Sequence, residues 1–430
     1  VSAEPSVPGA MLANVLQAAA RIVARVAAGK SLSAEMERAV DEGCTAPRAA
    51  LIDVTHGTLR RYGRSQAIVR SLSRQDRGDA LVEALLWCAL YVLDSGRHAQ
   101  YTVVDQAVRA CGLLEKWPAK GFVNALLRRF LRERKLIEAR LQDDVQARYQ
   151  HPAWWIDALR AAYPADWERV LEAGNGRPPM CLRVNRRRAE PQAMLERLAA
   201  AELAAERLGP VGLLLARPVP VDRLPGFAQG DVSVQDAGAQ RAVDYLDLQR
   251  GMRVLDACAA PGGKSAHILE TADVALTALD LDDLRCRRIE QNFQRLGLTG
   301  RVINADCRAT ASWWDGQGFD RVLADVPCSA SGVARRHPDI KWIRRPDDIP
   351  AFAARQAQIL EALWRVLVPG GKLLYVTCSV FPQENDAVIE LFLRDRADAQ
   401  RLDLPAGSPA QCLPEARHDG FFFALLAKRN

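Results

Sequence analysis

From Gly251 onward, short apolar runs alternate with helix-length segments, and this alternation constrains the fold more than any other feature of the chain. Strands read at 252–257, 274–280, 301–305, 320–325 and 372–378, with helices at 263–271, 283–296 and 351–367. Such a succession predicts a parallel, doubly wound sheet whose strand ends open into one crevice. A helix at 383–394 and an apolar strand from Phe421 to Ala427 close the chain, the strand adding at an edge or inserting antiparallel. Two strand ends carry thiols: Asp320–Asp325 runs into Val326-Pro327-Cys328-Ser329, and Lys372–Thr377 into Cys378-Ser379. Two cysteines and the carboxylate of Asp325 can therefore face one substrate. Gly332 closes the first loop, where a backbone can approach a ligand closely.

The 430 residues exceed one ordinary core, and the text before Gly251 has two other textures. Leu12, Val15, Leu16, Ala19, Ile22, Val23 and Val26 recur at three- and four-residue spacing. Similar patterns cover 46–71, 77–95, 101–113 and 119–141, with breaks at Gly63, Gly78, Gly96, Gly112 and Pro118, so 1–141 is expected to be an all-helical bundle. Residues 142–240 read as a small α+β connector. It contains a short helix after His151-Pro152, an edge segment over Arg177–Asn185, a helix from Pro191 to Ala205, and strands near 211–216 and 231–234. The edge assignment rests on proline, which cannot serve a central ladder. Residues 241–430 then make the α/β domain.

Charge is unevenly placed. Residues 1–150 hold 22 Lys and Arg against 16 Asp and Glu, which is the whole formal excess of +6. That fits a polyanion-binding front, and a solvated basic helical face equally well. Arg60-Arg61-Tyr62-Gly63-Arg64 and Arg128-Arg129-Phe130-Leu131-Arg132-Glu133-Arg134-Lys135 each hold an aromatic that could stack on a base, although Tyr62 and Phe130 suit core packing as well. Arg183, Asn185 and Arg186–Arg188 read either as contacts to nucleic-acid phosphates or as surface charge beside a strand. No run of about eighteen uncharged apolar residues exists, so no membrane span is expected. The first residues lack a basic-then-apolar leader pattern, so a cytoplasmic protein is expected. The ten cysteines include no C-x-x-C pair, which argues against a zinc ribbon, any other metal site and a disulfide framework.

Val254-Leu255-Asp256-Ala257-Cys258-Ala259-Ala260-Pro261-Gly262-Gly263-Lys264 runs from a strand through a small-residue loop into a helix. Small residues let backbone amides approach a ligand, and the helix start favours an anionic group. The loop is neither G-x-G-x-x-G nor G-x-x-x-x-G-K-[ST], which lowers the odds on a dinucleotide or a triphosphate. Asp280 ends the second strand, where a carboxylate can grip ribose hydroxyls, and Asp306 ends the third, placed to accept from an adenine amino group. A pyrimidine carbon 5 becomes nucleophilic when a thiolate adds to carbon 6, provided a carboxylate polarises the ring. Asp325, Cys328 and Cys378 supply those groups, and Lys264 can orient the base. From the residues alone the two thiols cannot be ranked. Cys258, Cys286, Cys307 and Cys412 are read as small buried hydrophobes.

Asp256–Lys264, Asp325-Val326-Pro327-Cys328-Ser329, Arg335-Arg336-His337-Pro338-Asp339-Ile340-Lys341-Trp342 and Thr377-Cys378-Ser379 resemble the RNA cytosine-5 methyltransferase family, in its branch acting on 16S ribosomal RNA. The likeness extends to Val232-Ser233-Val234-Gln235-Asp236-Ala237, to Asp419-Gly420-Phe421-Phe422, and to a helical front similar to the RNA-binding antiterminator NusB. It implies a Rossmann-like methyltransferase domain that uses S-adenosylmethionine, held by Ala257, Cys258, Ala259, Ala260, Pro261, Gly262, Gly263 and Lys264, with Asp280, Arg285, Asp306 and Asp325. It implies that Cys378 is the nucleophile and that Cys328 assists product release, in a monomer acting on 16S rRNA before the small subunit is fully assembled. Ala330-Ser331 departs from the Gly-Thr common in relatives, and a small loop adjustment is expected there. The same reaction on another RNA, or a binding protein built on this fold, are the competing readings; retention of both thiols and of the small-residue loop argues against the second. A DNA amino-methyltransferase would carry Asp/Asn-Pro-Pro-aromatic where this chain has Asp325-Val326-Pro327-Cys328.

Overall fold

In a computed structural model that describes residues 9–73, 78–405 and 407–429, the chain packs as two compact units. One runs to Gly176 and includes Ala334–Pro346; the other comprises Arg177–Val333 and Asp347 onward. By contacts, the helices Val145–Tyr149, Ala153–Ala162 and Trp167–Asn175 fall in the first unit and the connector's sheet in the second.

The first unit is helical, with Gly9–Ala27, Leu32–Asp41, Arg48–Arg60, Tyr62–Leu72, Ala80–Ser95, Gln100–Leu113 and Lys120–Leu141 as its main rods. The periodic apolar face of the first rod, from Leu12 to Val26, is buried in one core with Leu85, Leu86, Val103, Leu127 and Phe130. Asp79 starts one helix by accepting from the N–H groups of Leu81 and Val82 at 3.1 and 3.2 Å, and left-handed Gly96 (φ 67°) ends it. The helix expected over 46–71 breaks at Arg61 and not at Gly63. Gly63 lies within a helix, where a Cβ would stand 2.6 Å from the carbonyl of Gln146; it is there for close approach.

The inserted segment Ala334–Pro346 completes this core. Trp342 packs edge-on against Tyr62 (ring centroids 4.9 Å) and donates to the carbonyl of Leu59 at 2.8 Å. Asp339 accepts from the N–H of Leu32 at 2.9 Å, and fully buried Lys341 donates to Asn175 Oδ1 at 2.8 Å. The Arg335–Trp342 motif thus supplies anchors to the helical unit.

The second unit holds two sheets. β1 (Met180–Val184), β2 (Ala205–Leu208), β3 (Gly212–Leu215) and β4 (Val232–Val234) form an antiparallel sheet in the order β2-β3-β1-β4. β1 is internal, contrary to the edge position expected, because Pro178 and Pro179 precede the strand and leave its ladder intact. The helix expected from Pro191 to Ala205 stops at Ala200, and Ala205, expected as its last residue, begins β2.

β5 (Arg253–Asp256), β6 (Ala275–Asp280), β7 (Arg301–Asn304), β8 (Phe319–Asp325) and β9 (Leu367–Thr377) are the parallel strands. With β10 (Ala399–Leu402) and β12 (Phe421–Lys428) the order is β10-β12-β9-β8-β5-β6-β7, and β11 (Gln411–Cys412) pairs with β12. Of the two placements open to the last strand, the antiparallel insertion is the one taken: Phe422 faces Thr377 on β9 and Leu425 faces Leu402 on β10. Phe421 to Leu426 are all buried, so this strand needs cover on both faces and neighbours on both edges.

Among the described residues, no helix is long and apolar enough to cross a membrane.

Candidate active site

The strand order reverses between β5 and β8, and a crevice opens beyond their carboxyl ends. After β5 the chain turns through Ala257–Gly262 into the helix Gly263–Thr271. Gly262 adopts φ 92°, and a Cβ on it would lie 3.1 Å from Ile289, so glycine is required there. At Gly263 a Cβ would meet only Gln235 Nε2, at 3.8 Å. The loop therefore leaves an open cradle beside a helix start, whose first N–H groups have no intrahelical acceptor.

Carboxylates line the successive strand ends. Asp280 is buried and accepts from the N–H of Ala260 at 3.1 Å and of Asp282 at 3.2 Å. Arg285 closes the same corner, 3.4 Å from Asp280 and donating to the carbonyl of Ala260 at 3.1 Å. Asp306 is gripped by its neighbour Arg308 at 2.6–3.1 Å, which holds its carboxyl below the usual range. Asp256 accepts from Ser265 at 2.6 Å, while its Oδ1 is buried without a partner among the described residues; burial pushes this carboxyl up to about 7.

Lys264 joins the cofactor-type loop to β8 by donating to Asp325 at 2.6 Å. Burial works against its ammonium, but Asp325, then Asp256 and Cys378, outweigh that and hold its pKa above the ordinary lysine value. The two thiols follow from register. β8 and β9 place Asp325 beside Val376, Val326 donates to the carbonyl of Val376 at 3.0 Å, and the sulfurs of Cys328 and Cys378 come to 3.4 Å. Cys328 is buried and Cys378 is half-buried. The hydrogen bond to Cys378, then burial, then negative charge on Cys378 and Glu384 push the Cys328 thiol well above the usual range.

Several sequence readings change at this point. At Gly332 the close approach is to the chain's own backbone: a Cβ on it would lie 2.4 Å from the carbonyl oxygen of Gly420, whose N–H donates to Gly332 at 2.9 Å. The Asp419-Gly420-Phe421 motif thus brings the end of the chain against the Cys328 loop, and Gly332 donates in turn to the carbonyl of Cys378 at 2.8 Å. Arg183 is neither a phosphate contact nor surface charge. It is fully buried, paired in a fork with Glu270 at 2.8 and 2.9 Å, and bonded to Gln235 at 2.6 Å and the carbonyl of Gly263 at 2.7 Å. Asn185 is buried on the carbonyl of Gly230, and Arg187 and Arg188 donate to backbone carbonyls. In the first unit, Arg64 and Arg134 of the two basic clusters both pair with Asp94 and Glu138, and Tyr62 and Phe130 are core residues. Cys286, Cys307 and Cys412 are buried as expected, while Cys258 is half-buried and hydrogen-bonded to Cys307. Sequence reasoning missed Glu384, fully buried beneath both thiol loops; a carboxylate six residues after Cys378 carried no signal of its own.

The family model described as 16S rRNA methyltransferase RsmB/F matches residues 243–427, its ferredoxin-like domain matches 151–222, and the NusB family matches 14–132. Ribosomal RNA small subunit methyltransferase B of Pseudomonas syringae pv. tomato is 43% identical over 96% of this chain and 97% of that protein. The protein of the same name from Vibrio cholerae is 42% identical over 97% and 98%. Among solved structures, the crystal structure of PH0851 covers 99% of this chain and 100% of its own with TM-score 0.81 at 22% identity, which shows the fold. A methyltransferase homolog protein from Pyrococcus horikoshii covers 66% of this chain and 98% of its own at TM-score 0.59 and 29% identity. Likeness at this level over nearly the whole length shows that the chain belongs to the 16S rRNA methyltransferase RsmB/F family.

Proposed function

We propose that the protein methylates carbon 5 of a cytosine in 16S ribosomal RNA through a covalent adduct between the base and Cys378. The observation that carries this reading is the thiol pair at 3.4 Å, set beside the Lys264–Asp325 ion pair at a strand-order reversal. S-adenosylmethionine, when bound, supplies an electrophilic methyl group. The open cradle at Gly263 and the carboxylates at successive strand ends fit it, with Ala257–Lys264, Asp280, Arg285, Asp306 and Asp325 as the holding residues.

Cys378 is the more exposed thiol, and Lys264 is close enough to feel its charge, so we assign it the attack on carbon 6. Asp325, steadied by Lys264, holds the ring nitrogen and amino edge of the base. Cys328 stays protonated in the meantime. One cause of its raised pKa is charge on Cys378, and that cause disappears once Cys378 is bonded to carbon. Cys328 then loses its proton to solvent more readily; once carbon 5 carries the methyl group, the Cys328 thiolate takes the carbon-5 proton, the carbon-6–sulfur bond breaks and Cys378 leaves as a thiolate. Positions in the helical unit open to RNA phosphates are exposed Arg128 and Lys135, since Arg64, Arg132 and Arg134 are engaged in ion pairs.

Denaturing gels of each variant with RNA and S-adenosylmethionine test the scheme. Cys328→Ala should accumulate a protein–RNA adduct, and Cys378→Ala should give neither adduct nor methyl transfer. The reverse pattern would exchange the two roles. Bisulfite sequencing of 16S rRNA from cells with and without the protein then identifies the cytosine, and an unchanged pattern removes the proposal.

A further inference from the structure

Beneath the two thiols lies a buried polar cluster that the methyl-transfer scheme does not use. Glu384 is fully buried, and no Lys, Arg or His pairs with it among the described residues. Its Oε1 accepts from the N–H of Ser329 at 2.7 Å and from Gln356 Nε2 at 3.1 Å, and its Oε2 accepts from the hydroxyl of Ser379 at 2.6 Å. Ser329 follows Cys328 and Ser379 follows Cys378, so each oxygen of one carboxylate holds the residue next to one thiol. The arrangement is reinforced on both sides. The hydroxyls of Ser329, Ser331 and Ser379 lie 3.1–3.2 Å apart, and Gln356 also donates to the carbonyl of Pro327 at 3.0 Å. Tyr375 donates to Gln356 at 3.1 Å and to the backbone carbonyl of Glu384 at 2.7 Å.

We propose that Glu384 is a positioning residue for this pair of thiols: one buried carboxylate that holds the ends of β8 and β9 in the register the reaction needs and sits beside Cys328. This rests on the two-thiol reading above. A buried carboxylate without a cation is costly to keep, and its field falls on whatever titrates nearby. The titrating groups facing Cys328 are Tyr375 on β9, Cys378 just past its end and Glu384 in the turn beyond. The charge of Glu384 contributes to raising both Cys328 and Tyr375. Geometry and charge therefore act together: the clamp sets the sulfur–sulfur distance, and the carboxylate disfavours a second thiolate at Cys328.

Glu384→Gln tests this, since it keeps the shape and one acceptor while removing the charge. Peptide-resolved alkylation of Cys328 with iodoacetamide, measured against pH without RNA or cofactor in a Cys378→Ser background, should shift to lower pH. In the single variant, kcat should fall about tenfold to a hundredfold, while KM for RNA and the affinity for S-adenosylmethionine stay near wild type. Glu384→Asp keeps the charge but shortens the reach, so it should restore the alkylation profile while kcat stays reduced. If Glu384→Gln does not fold, Ser379→Ala removes the Oε2 donor together with its bonds to Ser329, Ser331 and the N–H of Phe381, and wild-type kcat in it overturns the proposal. An unshifted alkylation profile together with wild-type kcat in Glu384→Gln overturns it as well. The alkylation readout needs no methyl transfer, so failure of the cytosine reading would show separately, as absent turnover in the unaltered protein.

Discussion

Replacing Arg183 by methionine is the sharpest test of how the connector sheet supports the active site. Arg183 is fully buried on β1 and makes four bonds of 2.6–2.9 Å, two to Glu270, one to Gln235 and one to the carbonyl of Gly263. The last bond reaches the first residue of the helix that follows the small-residue loop. Removing the guanidinium strands the Glu270 carboxylate in a buried site, which costs about 3–5 kcal/mol. For a unit of this size each kcal/mol moves the melting point by about 2–4 °C, so Arg183→Met should lower the second unit's transition by roughly 6 °C or more. Scanning calorimetry measures the transition, and hydrogen exchange should show lost protection along Gly263–Thr271. Adding Glu270→Leu should recover most of the loss, because the uncompensated charge goes with it. A variant that melts like the wild type but binds RNA more weakly would refute the reasoning and return Arg183 to the phosphate contacts.

Two further outcomes follow from other parts of the site. Asp256 titrates near 7 in the fold against 3.8 ordinarily, so between about pH 4 and 7 the native state keeps a proton the unfolded chain has released. Stability should fall as pH rises through that window, by at most about 4 kcal/mol, and Asp256→Asn should gain on the wild type in denaturant unfolding at pH 8 but not at pH 4; an equal gain at both would contradict the assignment. Gly332→Ala places a Cβ 2.4 Å from the carbonyl of Gly420, so overpacking should cost about 1–3 kcal/mol and slow turnover by disturbing the Cys328 loop. Normal melting and normal kcat in that variant would show that the two backbones can part cheaply.

The chain order alone carried a large share of this protein. Strand–helix alternation after Gly251 predicts the parallel sheet, and the same text places Asp256, Asp280, Asp325, Cys328 and Cys378 at strand ends or just beyond them, where a parallel sheet delivers its chemistry. Those are local signals: apolar period, turn residues and caps lie within a few residues of what they specify. The helix break at Arg61 and the interior position of β1 were less legible, because proline and glycine mark both interruptions and close approaches, and only the neighbouring backbone distinguishes them.

Tertiary structure alone decided the partners. Arg183 is separated from Glu270 by 87 positions, Ser329 from Glu384 by 55 and Cys328 from Cys378 by 50. A charged or hydroxyl side chain reads identically in sequence whether it meets solvent, RNA or a buried counterpart; burial and a partner's position settle the matter, and neither is local. The same holds for Arg335–Trp342, which the sequence places beside the Cys328 loop and the fold commits to the helical core. Composition and period thus determined the sheet and the residue types that stand at its strand ends. Long-range packing determined which charges are spent on structure and brought two sulfurs from separate strand ends to 3.4 Å.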